Sequence, residues 1–146
     1  MNKQDYHEDE KLRVSGERYA GIVVRGSKVL LIHRIKQGRE YYVFPGGHRR
    51  QGEDPKNVVI REVEEETDII ASNPRLAFKS HDKKLGQFDF YYLCDWVSGE
   101  EPKLNGEEKE KNSSEDFYEP MWVEIKKAKR LNILPNIAKY WLIKNL

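Results

Sequence analysis

The sequence predicts a mixed α/β fold, with a central sheet covered by helices, and three observations carry that reading. Two β-rich apolar segments open the chain, a firmly capped helix follows a glycine pair near its middle, and an aromatic hairpin then leads to a late strand and a terminal amphipathic helix. Elements in this order agree with a mixed sheet on which helices pack. At 146 residues the chain is read as one domain over residues 13–146, long enough to bury its own core. Residues 1–12 are polar and charged and are expected to form a loose arm or a late-pairing edge strand.

Residues 18–24 and 28–34 are joined by Arg25-Gly26-Ser27, a short turn that marks a hairpin. In the second segment Val29, Leu31 and His33 alternate with Leu30, Ile32 and Arg34. Both faces are largely apolar, so the strand is expected at the centre of the sheet. Residues 41–44 read as a third strand, stopped by Pro45 and running into the glycine-rich loop that begins at Gly46-Gly47. Further on, residues 76–80 and 87–97 form the hairpin, linked by the polar stretch 81–86. On its second strand Phe88, Phe90, Tyr92 and Cys94 share one face, while Asp89, Tyr91, Leu93, Asp95 and Val97 share the other. Residues 98–116 are charged and carry Gly, Pro and Asn, which suits a long surface loop. A strand over 118–123, a short helix over 125–131 and a terminal helix over 135–144 complete the chain, the last placing Ile137, Trp141 and Leu142 on the core.

The central helix starts at Asp54, a good N-cap, with Pro55 at the first helical position where its missing N–H is no loss. At about 100° per residue, Glu62, Glu65 and Glu66 fall within an arc of about 100°, and Val59, Ile60, Val63 and Thr67 occupy the adjacent arc. One stripe can pack on a sheet while its neighbour presents three carboxylates. Like charges at i,i+4, as in Glu62 and Glu66, oppose the helix by about 0.2–0.5 kcal/mol. Two explanations offset that cost. One is a solvated acidic face on which Arg61 pairs with Glu65. The other is a hard divalent cation, because Mg²⁺ prefers oxygen ligands.

Composition bounds what this helix belongs to. With 26 basic and 25 acidic residues the net charge is +1, so no global field favours nucleic acid or an anionic membrane. No apolar run approaches a membrane span, and a cytoplasmic protein is the default. The lone Cys94 excludes an internal disulfide, and its apolar surroundings suggest a buried, inert thiol. Arg34, at the end of the second segment, is either an ordinary strand-end charge or a holder of a substrate phosphate. Tyr42, Phe90 and Tyr92 are either core rings or platforms for a nucleobase.

Gly47, five residues, Glu53, seven residues, Arg61-Glu62, apolar Val63, one residue, Glu65-Glu66, one residue, Asp68 and apolar Ile69 closely resemble the Nudix box. Asp68 stands where that family usually has glycine, just past the helix end, and Asp tolerates the left-handed conformation better than most residues. The resemblance implies an α/β/α sandwich and a pyrophosphohydrolase that cleaves a nucleoside diphosphate linked to another moiety. It implies Mg²⁺, or alternatively Mn²⁺, held by the Gly47 carbonyl with Glu62, Glu65 and Glu66. It also implies a Glu53–Arg61 pair that braces the loop, and one further carboxylate from outside the box, for which Glu115 is the candidate. The base that takes the water proton is Glu62, Glu65 or that outside residue. The implied partner is a small nucleotide or nucleotide derivative rather than nucleic acid, and a homodimer remains open.

Within the family, some ADP-ribose hydrolases carry a proline about 15 residues past the box, and some dinucleoside polyphosphate hydrolases a tyrosine slightly beyond it. Here Lys84, Leu85, Gly86 and Gln87 stand there, which favours a general or nucleoside triphosphate pyrophosphohydrolase over an ADP-ribose or dinucleoside polyphosphate hydrolase. A binding module that senses a nucleotide without cleaving it is the rival from another class.

Overall fold

The computed structural model describes residues 13–104, 113 and 115–146. The N-terminal segment 1–12, and Glu107, Glu108 and Glu110 of the acidic loop, lie outside the described residues. Among the described residues seven strands form one sheet: β1 (Arg13–Arg25), β2 (Lys28–Lys36), β3 (Arg39–Val43), β4 (Gly46–Arg50), β5 (Ile70–Asp82), β6 (Gln87–Ser98) and β7 (Asp116–Glu124). The main order is β3-β2-β1-β6-β5, with β4 on β1 and β7 on β2. Only the β1–β6 pairing is parallel among these, so the sheet is mixed.

Among the described residues three helices cover it: α1 (Pro55–Thr67), α2 (Ile125–Ala128) and α3 (Asn136–Asn145). Alternation along the central strands sends side chains to both faces. Val23, Leu30, Tyr92 and Cys94 pack with Val58, Val59 and Val63 of α1. Ile22, Leu31, Tyr91 and Val123 pack on the other side with Ala128 of α2 and Ala138 and Leu142 of α3. This is the α/β/α sandwich. Each fully buried valine or leucine contributes about 1.5–3 kcal/mol relative to exposure. No helix among the described residues is long and apolar enough to cross a membrane.

Local structure departs from the sequence reading at several points. The expected loop at the glycine pair is the strand β4, because a side chain at Gly46 would collide with the backbone of Tyr19 and Ala20, and its absence lets β4 lie against β1. β1 starts at Arg13, passing an irregularity between Arg13 and Arg18 where Gly16 takes a φ of +80°. β5 starts at Ile70 rather than at 76; Asn73 at φ 51° sits in a register shift that absorbs the Asn-Pro break. α2 is a single turn, and Ile137 is 44% exposed while Ala138 and Leu142 take the core positions. On α1, Val58 is buried where Ile60 was expected.

The first part of the acidic loop is held, not loose. The Arg25 guanidinium lies 4.2 Å from the Trp96 ring centroid and 5.7 Å from that of Trp122. The two indole N–H groups donate to the carbonyls of Gly99 and Glu100 at 2.8 and 2.9 Å, and Lys103 N–H donates to the Thr67 carbonyl at 2.9 Å. Cys94 is buried, and burial pushes its thiol up to about 12, so it is inert as a nucleophile.

Both ends of α1 are legible from the side chains. Asp54 Oδ1 accepts from Lys56 N–H at 2.9 Å, and Asp68 closes the helix at φ 61° with its N–H donated to the Glu64 carbonyl. A left-handed residue with a β-branched side chain is strained by about 1–2 kcal/mol. Asp68→Val should therefore lower unfolding free energy by about that amount, whereas Asp68→Gly should leave it equal or higher. Equal denaturant midpoints for the two variants would refute this cap assignment.

Candidate active site

Gly46 and Gly47 pair with Ala20 and Tyr19 across β1, which sets Gly47 beside Glu62 in the middle of α1. A side chain on Gly47 would overlap the Glu62 carboxylate. Only glycine leaves room for that carboxylate on the strand. Glu62 reaches it because it lies next to the stripe of buried valines that seats α1 on the sheet.

Arg61 organises the rest. Its Nε and Nη2 donate to the two oxygens of Glu53, each at 2.8 Å, and Nη2 also donates to the His48 carbonyl at 3.2 Å. Nη1 donates to Glu62 at 2.9 Å and to Glu65 at 3.3 Å. Glu53 accepts in addition from the Arg50 backbone N–H at 2.9 Å, and the Arg50 guanidinium lies 3.7 Å from Glu65. Burial works against the ionised Glu53, yet the Arg61 and Arg50 bonds outweigh it and hold its pKa below the ordinary 4.5. Burial also opposes the Arg61 charge and is outweighed by the same bonds and by Glu62 and Glu65, so its pKa rises. For Glu62 burial wins over Arg61, and its pKa is raised.

The carboxylates of Glu62 and Glu65 offer hard oxygens beside Gly47, and one cationic nitrogen already bridges the two. That chemistry fits a hard divalent cation. Glu66 lies one turn beyond Glu62 and is half-buried. Glu115 is exposed just ahead of β7, where its carbonyl accepts from Gln37 N–H at 3.3 Å. Among the described residues no three His, Cys, Asp or Glu side chains are grouped so as to hold an ion.

A cavity of about 580 Å³ lies where β1 and β6 part from β2 and β3. β1 and β2 pair only at Val24 and Arg25; beyond that β1 pairs with β4 and β2 with β3. Arg34 lines the cavity, with its guanidinium 3.4 Å from the Tyr118 ring centroid and Nη2 donating to Asp116 at 2.8 Å. Its Nε is buried without a hydrogen-bond partner. Tyr41, Phe44 and Tyr91 form the aromatic walls, with Arg18, Asp89 and Asn136 as polar groups.

None of the three rings singled out from the sequence lines this cavity; Tyr92 packs with the buried valines of α1. Tyr41 is the register partner of Arg34, so its neighbour Tyr42 turns away and stacks on His33 at 4.6 Å. Phe90 turns to the α1 side and stacks on Tyr19 at 4.9 Å, while Asp89 and Tyr91 face the cavity. Alternation from Arg34 could have found Tyr41; nothing local marks Arg18 or Asn136, which long-range pairing brings there.

A family model described as NUDIX domain matches residues 17–142. The chain belongs to the Nudix family. It is 45% identical over 49 residues to an uncharacterized Nudix hydrolase, YvcI, of Bacillus subtilis, a match covering 34% of this chain and 30% of that protein. The aligned stretch thus spans under a third of that relative. The MutT protein of Bacillus halodurans is 26% identical, with a TM-score of 0.60 over 87% of this chain and 79% of that one. A MutT structure from work on the Aliivibrio salmonicida and Vibrio cholerae proteins has a TM-score of 0.67 at 17% identity, over 89% and 97% of the two chains. These likenesses establish the mixed α/β fold, and Nudix hydrolases in general use divalent metal cations.

Glu53→Gln removes the charge that Arg61 is built around and should cost about 1–3 kcal/mol at pH 7. Because the folded pKa of Glu53 is depressed, its contribution is present above the unfolded value and lost as pH falls through the lower folded one. The stability gap between wild type and variant should narrow progressively as pH falls below the ordinary value of 4.5. A gap of constant size from about pH 7 to about pH 3 in urea titrations would overturn the assignment.

Proposed function

We propose that this Nudix protein is a metal-dependent hydrolase that cleaves the pyrophosphate linkage of a nucleotide, with a nucleoside triphosphate as its substrate. The seating of Glu62 on Gly47, braced by Arg61 and Glu53, carries this reading. Phe44 in the cavity, Pro45, Gly46 and Gly47 are consecutive. A nucleoside seated between Tyr41, Phe44 and Tyr91 therefore has its phosphates directed along that segment toward Glu62. The unpartnered Nε of Arg34 donates to an oxygen of the substrate, as a guanidinium edge suits a phosphate or sugar oxygen.

The Gly47 carbonyl, Glu62, Glu65 and Glu66 hold Mg²⁺, or Mn²⁺ in its place, with Glu115 as the outside carboxylate. When bound, the cation neutralises the phosphate oxygens and lowers the pKa of water. The water proton passes to a carboxylate drawn from Glu62, Glu65 and Glu115, within hydrogen-bond reach of the nucleophile. Arg61 keeps Glu62 and Glu65 in place, and Glu53 keeps Arg61. Such a substrate pool suits a cytoplasmic protein.

The alternative is a module that senses a nucleotide without cleaving it. It is favoured by Arg61, whose Nη1 already bridges Glu62 and Glu65 where a cation would sit. Turnover separates the two. Screening nucleoside triphosphates, ADP-ribose and a dinucleoside polyphosphate should give Mg²⁺-dependent cleavage, fastest for a triphosphate. Glu66→Gln should lower kcat by about 100-fold or more while moving Tm by less than about 2 °C. Unchanged turnover of this variant at saturating Mg²⁺ would sink the assignment.

A further inference from the structure

Arg18 and Asp89 are register partners on the neighbouring parallel strands β1 and β6, and both line the cavity. They carry opposite charges, yet they are spent elsewhere. Arg18 Nη2 donates to the Phe44 carbonyl at 3.3 Å, and Asp89 Oδ1 accepts from the Gln87 side-chain amide at 2.8 Å. Among the described residues neither joins a side-chain ion pair. Both charges reach the same phenol: burial pushes Tyr91 up to about 12, with Arg18 pulling it down and Asp89 pushing it up. The cavity therefore presents, side by side, a cationic donor edge and a carboxylate with an uncommitted oxygen, between aromatic walls.

We infer that this pair reads the base of the substrate and that the base is guanine. The step rests on the nucleotide hydrolase reading above and names its substrate class. Guanine has two adjacent donors, N1–H and the 2-amino group, next to the O6 acceptor. A carboxylate accepts from both donors, and a neighbouring guanidinium donates to O6. Adenine reverses this edge. Its N1 lone pair would face Asp89, and its 6-amino donors would face Arg18. Cytosine carries the same mismatch, and uracil offers one donor where guanine offers two. A site built on such hydrogen bonds discriminates more sharply than one built on shape, because the wrong base leaves polar groups unpaired.

Nucleoside monophosphates test this without any bond to cleave. Titration calorimetry of the wild-type chain in Mg²⁺ buffer should show GMP binding about tenfold or more tighter than AMP, with IMP, which lacks the 2-amino group, between them. Asp89→Asn replaces one acceptor by a donor and should bring GMP and AMP within about threefold of each other. AMP binding as tightly as GMP, an unchanged ratio in Asp89→Asn, or no measurable GMP binding at millimolar concentration would each overturn the inference. A clear GMP preference in a chain that hydrolyses no triphosphate would instead overturn the catalytic reading and leave the base pocket standing. Hydrolysis without base preference would do the reverse.

Discussion

The guanidinium of Arg61 joins the loop residue Glu53, strand β4 through the His48 carbonyl, and the helix carboxylates Glu62 and Glu65. Three carboxylates converge on it, two of them largely buried. At an effective dielectric of about 20, like charges about 4 Å apart repel by about 4 kcal/mol, a large part of a typical domain's stability. The crowding of acid on α1 is thus tolerable only around a central cation. Removing Arg61 would do more than delete bonds, since the helix would lose the charge that lets Glu62 sit against Gly47.

Much of this was legible in the sequence because it is local. Asp54 and Pro55 announce the helix start, the 3.6-residue period separates valines from glutamates, and the box spacing points to Arg61 and its acids. What escaped was set by distant pairing. Gly46 and Gly47 read as a loop until β1 lies beside them, when the missing side chains become the reason a strand fits there. Asn73-Pro74 reads as a break, yet a bulge lets β5 run through it. Tyr42 and Tyr41 are indistinguishable by type; the Arg34 register decides which one faces the cavity. Ile137 looks like a core residue, but the helix turns Ala138 and Leu142 inward.

The sheet itself explains why a cavity and an acidic cradle lie within a few residues of each other. β1 and β2 part after two paired residues, and the gap is entered by the chain from β3 to β4. Pro45 marks the passage, with its carbonyl accepting from Gly21 N–H at 2.9 Å. One side of this segment contributes Phe44 to the aromatic walls, and the other contributes Gly47 to the seat of Glu62.

That parting of strands also divides the molecule's tolerance for change. Every partner of Arg61 described above comes from β4, the loop before α1, or α1 itself. The polar groups of the cavity come from β1, β2, β6 and α3. Substitutions at Asp89 or Asn136 can therefore redraw the polar lining of the cavity while leaving every contact of Arg61 in place.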